Sequence, residues 1–218
     1  MSETTPALVL NAYAVGFFPM AESREDENVF WVDPDHRGVI KFDEFHIPRR
    51  FKSFLKKHPF KLTCNTDFDS VIHGCAAPTE RRQDTWINDK IIELYTELHK
   101  MGYAHSIEVW QGKKLVGGLY GIALGSAFFA ESMFSRVTEA SKVALTELVA
   151  RLKYSEFTLL DTQFTNDHLA RFGGRELARP EYKEVLQESM LEDKIFYSDP
   201  DPDGWLITSL LQSMTQTS

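Results

Sequence analysis

Between residues 106 and 163 the hydrophobic period of the chain changes twice, and no other feature restricts its fold so much. Residues 106–110 alternate as a strand, Gln111-Gly112-Lys113 supply a hairpin turn, and residues 114–124 return as the partner. Gly117, Gly118, Gly121 and Gly125 punctuate that partner, which points to a bulge or a close backbone approach. A third strand follows over residues 127–130. From Thr138 the period becomes helical as far as Lys153, with Ala144, Leu145, Leu148, Val149 and Leu152 on one face. Residues 158–163 then form an apolar run of strand length that contains one carboxylate, Asp161. Hairpin, strand, helix and buried strand in that order point to an α/β or α+β fold.

Upstream, residues 6–15 read as a short helix ending at Gly16, and residues 29–31 and 39–42 as short strands. Pro48 opens a basic amphipathic helix whose apolar face is Phe51, Phe54 and Leu55. Residues 60–65 are strand-like and 67–75 a short helix, whereas 88–101 make a longer one with Ile91, Ile92, Tyr95 and Leu98 aligned. Asn166 caps a short helix reaching Phe172, and Pro180 starts a last helix ending near Leu191. These elements divide into a small N-terminal lobe at 1–45, a main domain at 46–190 and an acidic tail at 191–218.

No run approaches the ~18 apolar residues of a membrane span. The start carries no secretory pattern, and two cysteines make no disulfide scaffold, so the expected setting is the cytoplasm. The net charge of −8 argues against a protein that coats nucleic acid generally. That average hides a local surplus. Residues 37–61 hold eight basic side chains against two acidic ones, which leaves the rest of the chain fourteen negative. A basic face on an acidic protein fits an anion that docks in one place, and it fits a solvated basic helix equally well.

Among candidate chemical groups, metal ligation is excluded first: Cys64 and Cys75 are not in a CxxC pair, and no HExxH occurs. Gly117 to Gly121 lacks the Lys-Ser/Thr of a phosphate loop. Two carboxylates are more informative. Glu131 directly follows an apolar strand, and Asp161 lies within one, where an unpaired charge is very costly. Asp161 and Gln163 share one face of their strand. Function explains Asp161 as well as a helix cap or an arginine partner does. Trp86, near Arg81 and Arg82, could stack an unpaired base beside neutralised phosphate, although a lone Trp is more often core.

Seven segments stand in a telling order: Thr85-Trp86-Ile87, Ala104 through Trp110, Gly117 through Gly121, Glu131-Ser132-Met133-Phe134-Ser135, Glu139 through Ala144, Asp161-Thr162-Gln163, and His168 through Gly173. Together they resemble the leucyl/phenylalanyl-tRNA–protein transferases from about Leu8 to Tyr182. That resemblance implies an α+β fold: a small N-terminal lobe, then a domain like the GCN5-related acetyltransferases (GNAT-like), its mixed, mostly antiparallel sheet flanked by helices. It implies a monomer without cofactor that moves Leu or Phe, and also Met, from aminoacyl-tRNA to an N-terminal Arg or Lys of an acceptor protein, marking it for degradation. Asp161 and Gln163 would be the catalytic pair, with Asp161 bonding the Gln163 side-chain amide. Glu131 would help bind the basic acceptor and Asn166 would orient the site. Trp86 would contact the terminal adenosine, and Met133, Leu145, Leu148 and Leu160 would line the aminoacyl pocket. The tRNA backbone would then fall to Arg49, Arg50, Lys52, Lys56, Lys57, Arg81 and Arg82. Met20 stands where many relatives have Trp, which leaves Trp86 as the stacking candidate. Two rivals are an acetyl-CoA-dependent acetyltransferase, whose pyrophosphate loop the sequence lacks, and a non-catalytic protein that binds tRNA or protein N-termini.

Overall fold

The structure, a computed structural model, describes residues 4–26, 28–57, 60–79, 83–201 and 204–216. Helix α1 (Pro6–Ala14) begins at a proline, which needs no N–H partner, and Thr5 Oγ1 accepts the Leu8 N–H at 3.3 Å. Strands β1 (Phe18–Met20) and β2 (Phe30–Val32) form a two-stranded antiparallel ribbon. Such a ribbon tolerates Pro19, which made β1 illegible as a strand. Next come β3 (His36–Ile40), the basic helix α2 (Arg49–Leu55), β4 (Lys61–Cys64), α3 (Phe68–Ala76) and α4 (Asp89–Lys100). The hairpin of β5 (Ala104–Gln111) and β6 (Lys114–Leu124) leads into β7 (Ala127–Ser135), α5 (Ala140–Tyr154) and β8 (Leu159–Gln163). The chain closes with α6 (Asp167–Ala170), β9 (Gly174–Ala178), α7 (Arg179–Ser189) and α8 (Trp205–Gln216).

Seven strands make one sheet in the order β4-β5-β6-β7-β8-β3-β9. Every neighbouring pair is antiparallel except β7 and β8, which run parallel with α5 as their crossover. The fold is therefore α+β, a mixed and mostly antiparallel sheet flanked by helices. One face of the sheet packs on α2, α5 and α8 through Phe51, Leu145, Leu148, Phe128 and Leu210. The other packs on α1, α3, α4 and α7 through Tyr13, Val71, Tyr95, Phe129 and Tyr182.

Three boundaries differ from the sequence reading. β3, placed in the lobe at 1–45, is bonded on both sides within the main sheet, to β8 and β9. The acidic tail is built into the core rather than appended to it. Phe196 is buried against Phe128, Phe157 and His105, and α8 packs along α5. Asp201 starts α8 by accepting the N–H groups of Trp205 and Leu206, each at 3.0 Å. Arg151 on α5 anchors the preceding segment by donating to the carbonyls of Tyr197 and Asp199, each at 3.0 Å. Finally, β7 continues five residues beyond Ala130, its expected end. Among the described residues, no helix is long and apolar enough to cross a membrane.

Candidate active site

Two bulges and a parting of strands create the site. The β7–β8 ladder ends at Phe129↔Asp161, yet β7 runs on to Ser135 and β8 to Gln163. The carboxyl ends of two parallel strands thus separate, the kind of crevice where open sheets bind ligands. In β7, Tyr120 pairs with Ser132 and Gly121 with Ala130, so Glu131 is the extra residue of a bulge. Gly121 is required there, because a Cβ would come within 2.3 Å of the Phe129 carbonyl oxygen. In β8, Gly38 pairs with Gln163 and Val39 with Asp161, which makes Thr162 the extra residue. Gln163 adopts φ 61°, a left-handed conformation that costs an ordinary side chain of order 1–3 kcal/mol. Bulges re-aim side chains, and these two turn Glu131 and Gln163 toward one another.

The result is a closed polar network. Arg37, on β3, is only 1% exposed and Asp161 is fully buried. Arg37 Nε lies 3.0 Å from each Asp161 oxygen, and one terminal nitrogen lies 2.8 Å from Oδ2. Asp161 also accepts the Tyr182 hydroxyl at 2.6 Å and the Gln163 backbone N–H at 2.7 Å. That last bond holds Gln163 in its strained conformation. The Gln163 side chain donates from Nε2 to Glu131 Oε1 at 2.8 Å, which fixes the amide orientation. No described residue donates to the Gln163 side-chain carbonyl. Glu131 further accepts the hydroxyls of Tyr13 at 2.6 Å and Tyr95 at 2.9 Å, and these two tyrosines also bond each other.

Burial pushes the Glu131 carboxyl up to about 7, although the donors Tyr13, Tyr95 and Gln163 favour its charge. Burial, with Glu131 second, raises both Tyr13 and Tyr95 well above the ordinary tyrosine range, so they remain donors. For Arg37, burial opposes the charge, but Asp161 more than offsets it and the guanidinium stays protonated. The site therefore holds one fixed ion pair and, beside it, a carboxyl poised near neutrality. Perturbed groups at a strand-end crevice are the signature of a functional site.

Comparison with known proteins identifies the family. Leucyl/phenylalanyl-tRNA protein transferase is the family matched by residues 39–187, and the N-terminal domain of the same family is matched by residues 3–35. The leucyl/phenylalanyl-tRNA–protein transferase of Rhodopseudomonas palustris is 52% identical over 216 residues, 99% of this chain and 96% of that one. Those of Maricaulis maris (50% identical, 96% of each chain) and Phenylobacterium zucineum (49% identical, all of both chains) are similarly near.

The chain belongs to the leucyl/phenylalanyl-tRNA–protein transferase family.

It is accordingly a transferase that acts between aminoacyl-tRNA and protein. A conserved protein of unknown function from Staphylococcus epidermidis overlays with TM-score 0.40 at 12% identity, covering 81% of this chain and 66% of that one. That distance bears on neither fold family nor function.

The structure brings Glu131, Asp161 and Gln163 together as one network but arranges them differently from expectation. Asp161 bonds the backbone N–H of Gln163, and its side-chain amide goes to Glu131 instead. Asn166 uses its side chain to cap α6, accepting the Leu169 N–H at 2.9 Å. Leu145, Leu148 and Leu160 are fully buried and Met133 partly so, all on the α5 face, opposite the face that carries Tyr13 and Tyr95. Trp86 is half-buried against the α4 side. Arg49 and Arg50 on α2 and Lys56 and Lys57 just after it are exposed, whereas Lys52 is half-buried and reaches the Leu211 carbonyl of α8 at 3.4 Å. Arg81 and Arg82 lie outside the described residues. Sequence reasoning missed Arg37, Tyr13, Tyr95 and Tyr182 as members of the site. Their signal was weak: Arg37 looked like one more charge in the basic stretch, and the tyrosines fitted helix-face packing.

Proposed function

We propose that this transferase moves Leu or Phe, and with less selectivity Met, from aminoacyl-tRNA to the α-amine of an N-terminal Arg or Lys, so marking the acceptor for degradation. The observation that carries this reading is the clamped Gln163, whose amide nitrogen is held by Glu131 while its carbonyl oxygen has no donor among the described residues. An aminoacyl ester is already activated, so the reaction needs an amine placed and deprotonated rather than a covalent intermediate. The attacking amine has an ordinary pKa of about 7.7–8.0, so roughly a tenth to a sixth of it is neutral near pH 7 and the rest must lose a proton. Its nitrogen forms a bond to the ester carbonyl carbon, the bond from that carbon to the ribose oxygen breaks, and the ribose leaves as its hydroxyl with a proton from the amine. Gln163 Oε1 accepts the amine N–H and orients its lone pair, and Glu131 strengthens that acceptor by bonding the same amide. Asp161 acts one step back, holding the Gln163 main chain. The mostly antiparallel sheet with one parting parallel pair favours a GNAT-like assignment, again as our reading.

Leu145, Leu148, Leu160 and Met133 are the residues for the aminoacyl pocket. A pocket of such groups discriminates softly, because one methylene is worth only ≈ 1–3 kcal/mol. Trp86 is assigned to the terminal adenosine. The exposed charges of α2 are assigned to tRNA phosphates, with Arg49, Arg50, Lys56 and Lys57 as the principal contacts. The decisive assay follows labelled Leu from Leu-tRNA to an Arg-initiated peptide. Transfer is expected with the natural chain and is expected to fall at least about a hundredfold with Gln163→Ala. Full activity in that variant would remove Gln163 from the chemistry. No transfer by the natural chain would overturn the reading.

A further inference from the structure

Acceptors that begin with Arg or Lys bring a positive charge to a site with little left to hold it. Asp161 has no spare capacity: Oδ1 takes Arg37 and the Gln163 N–H, and Oδ2 takes Arg37 and Tyr182. Its charge is already balanced by Arg37 at 2.8 Å. Glu131 Oε1 accepts two donors and Oε2 accepts Tyr95, which leaves one lone pair on a carboxyl only 7% exposed. Asp161 therefore has no oxygen left to hold the acceptor cation.

The residue after Gln163 is Phe164, and it is 48% exposed, unusual for a large aromatic beside a sealed polar network. It is held in place rather than loose. Its main chain presses on Gly38, where a Cβ would come within 2.5 Å of the Phe164 carbonyl carbon. Its ring packs edge-on to Phe18, centroids 5.8 Å apart at 82°. Phe18 in turn carries the Arg37 guanidinium 4.4 Å from its ring centre, so the neighbouring aromatic already binds a cation this way.

We infer that Phe164 is the docking face for the cationic side chain of the acceptor's first residue. The inference rests on the proposed Arg/Lys acceptor, and it identifies a specificity-determining contact of that same site. An aromatic face attracts guanidinium or ammonium within about 6 Å, and Arg, being planar and weakly hydrated, stacks better than Lys.

The test measures KM separately for an Arg-initiated peptide and for Leu-tRNA. Phe164→Ala is expected to raise the peptide KM about two- to fivefold and to leave the tRNA KM unchanged. A series carrying mono-, di- and pentafluorophenylalanine at position 164 keeps the shape while draining the ring's negative face, and the peptide KM is expected to rise stepwise along it. A pentafluoro variant equal to the natural chain would overturn the inference, leaving only packing. A rise confined to the tRNA KM would overturn it too, making Phe164 a base-stacking residue. If the natural chain transferred Leu to neutral N-termini but not to Arg, the acceptor reading itself would fail, a result separable from failure of Phe164 alone.

Discussion

Among the described residues two arginine–carboxylate pairs are buried, and they are built to different standards. Arg37 and Asp161 are 1% and 0% exposed, and so are Arg151 and Glu147. Around Asp161 every oxygen has two partners, drawn from β3, β8 and α7. Around Glu147 only Oε1 is bonded, to Arg151 at 2.8 Å one helical turn away, and Oε2 is buried without a hydrogen bond. Burial pushes the Glu147 carboxyl up to about 7, with Arg151 opposing and Asp201 adding to the rise. In the first pair the carboxylate is fully bonded and fixes the Gln163 segment, although one terminal nitrogen of Arg37 is buried with an ion-pair contact but no hydrogen bond. The second is an incomplete one whose arginine spends its other donors tying the C-terminal segment to α5. Burial is the same; the pairs differ in how fully the carboxylate is bonded and in whether its partners are local or distant in the chain.

Removing the arginine from each pair is the strongest way to break this contrast. Arg37→Met leaves Asp161 sealed without its ion-pair partner, and is expected to cost ~3–5 kcal/mol, read as a lower urea midpoint, with transfer lost. Arg151→Met is expected to cost less, ~1–3 kcal/mol, because Glu147 can take up a proton. Its specific mark is protease cleavage within residues 191–201 while the rest of the chain stays intact. Equal losses in the two variants would show that completeness does not matter.

A weaker perturbation sharpens the comparison through pH. Glu147 and Glu131 both move from 4.5 to about 7 on folding, so the folded chain binds more protons between those values. Their contribution to stability should therefore fall as pH rises from about 4.5 to about 7, the reverse of an ordinary paired carboxylate, while His105, pushed down to about 4 by burial, opposes it over part of that range. Glu147→Gln should flatten part of that fall, raising the unfolding temperature at pH 8 relative to the natural chain and changing little at pH 4. An unchanged slope would mean that Glu147 is ionised at no cost. Smallest of all is the effect of exposed charge. Lys56→Ala with Lys57→Ala should leave stability within ~0.5 kcal/mol, yet reduce the salt slope of tRNA binding by up to about 1.8.

The same contrast explains what could be read from sequence. The β5–β6 hairpin, α5 and β8 follow from periodicity, and the cap at Asn166 from side-chain chemistry next to the chain itself. Those are local signals. Arg37 is 124 residues from Asp161, and nothing in its neighbourhood marks it as different from Arg49 or Lys56. Tyr95 was visible as part of an apolar stripe; that its hydroxyl needs a buried partner was the available hint. β9 reads Gly-Arg-Glu-Leu-Ala, without alternation, and is a strand because β3 offers it an edge. α8 contains no charged residue, and its weak helix formers Ser and Thr are helical because α5 supplies an apolar face. The site was legible at Glu131, Asp161 and Gln163 through the motifs around them, but the network linking them depends on long-range contacts.

The extra residue at Glu131 has one more consequence. An unbroken strand would put Phe129, Glu131 and Met133 on the same side, because side chains alternate strictly. Instead Met133 packs with the α5 cluster and Phe134 with Phe129's cluster. The bulge is a phase slip that lets a single strand serve two masters, a charged network on one surface and an oily lining on the other. Deleting that extra residue would restore strict alternation and leave Met133 and Phe134 on the surfaces they now face, but it would take the carboxylate out of the network.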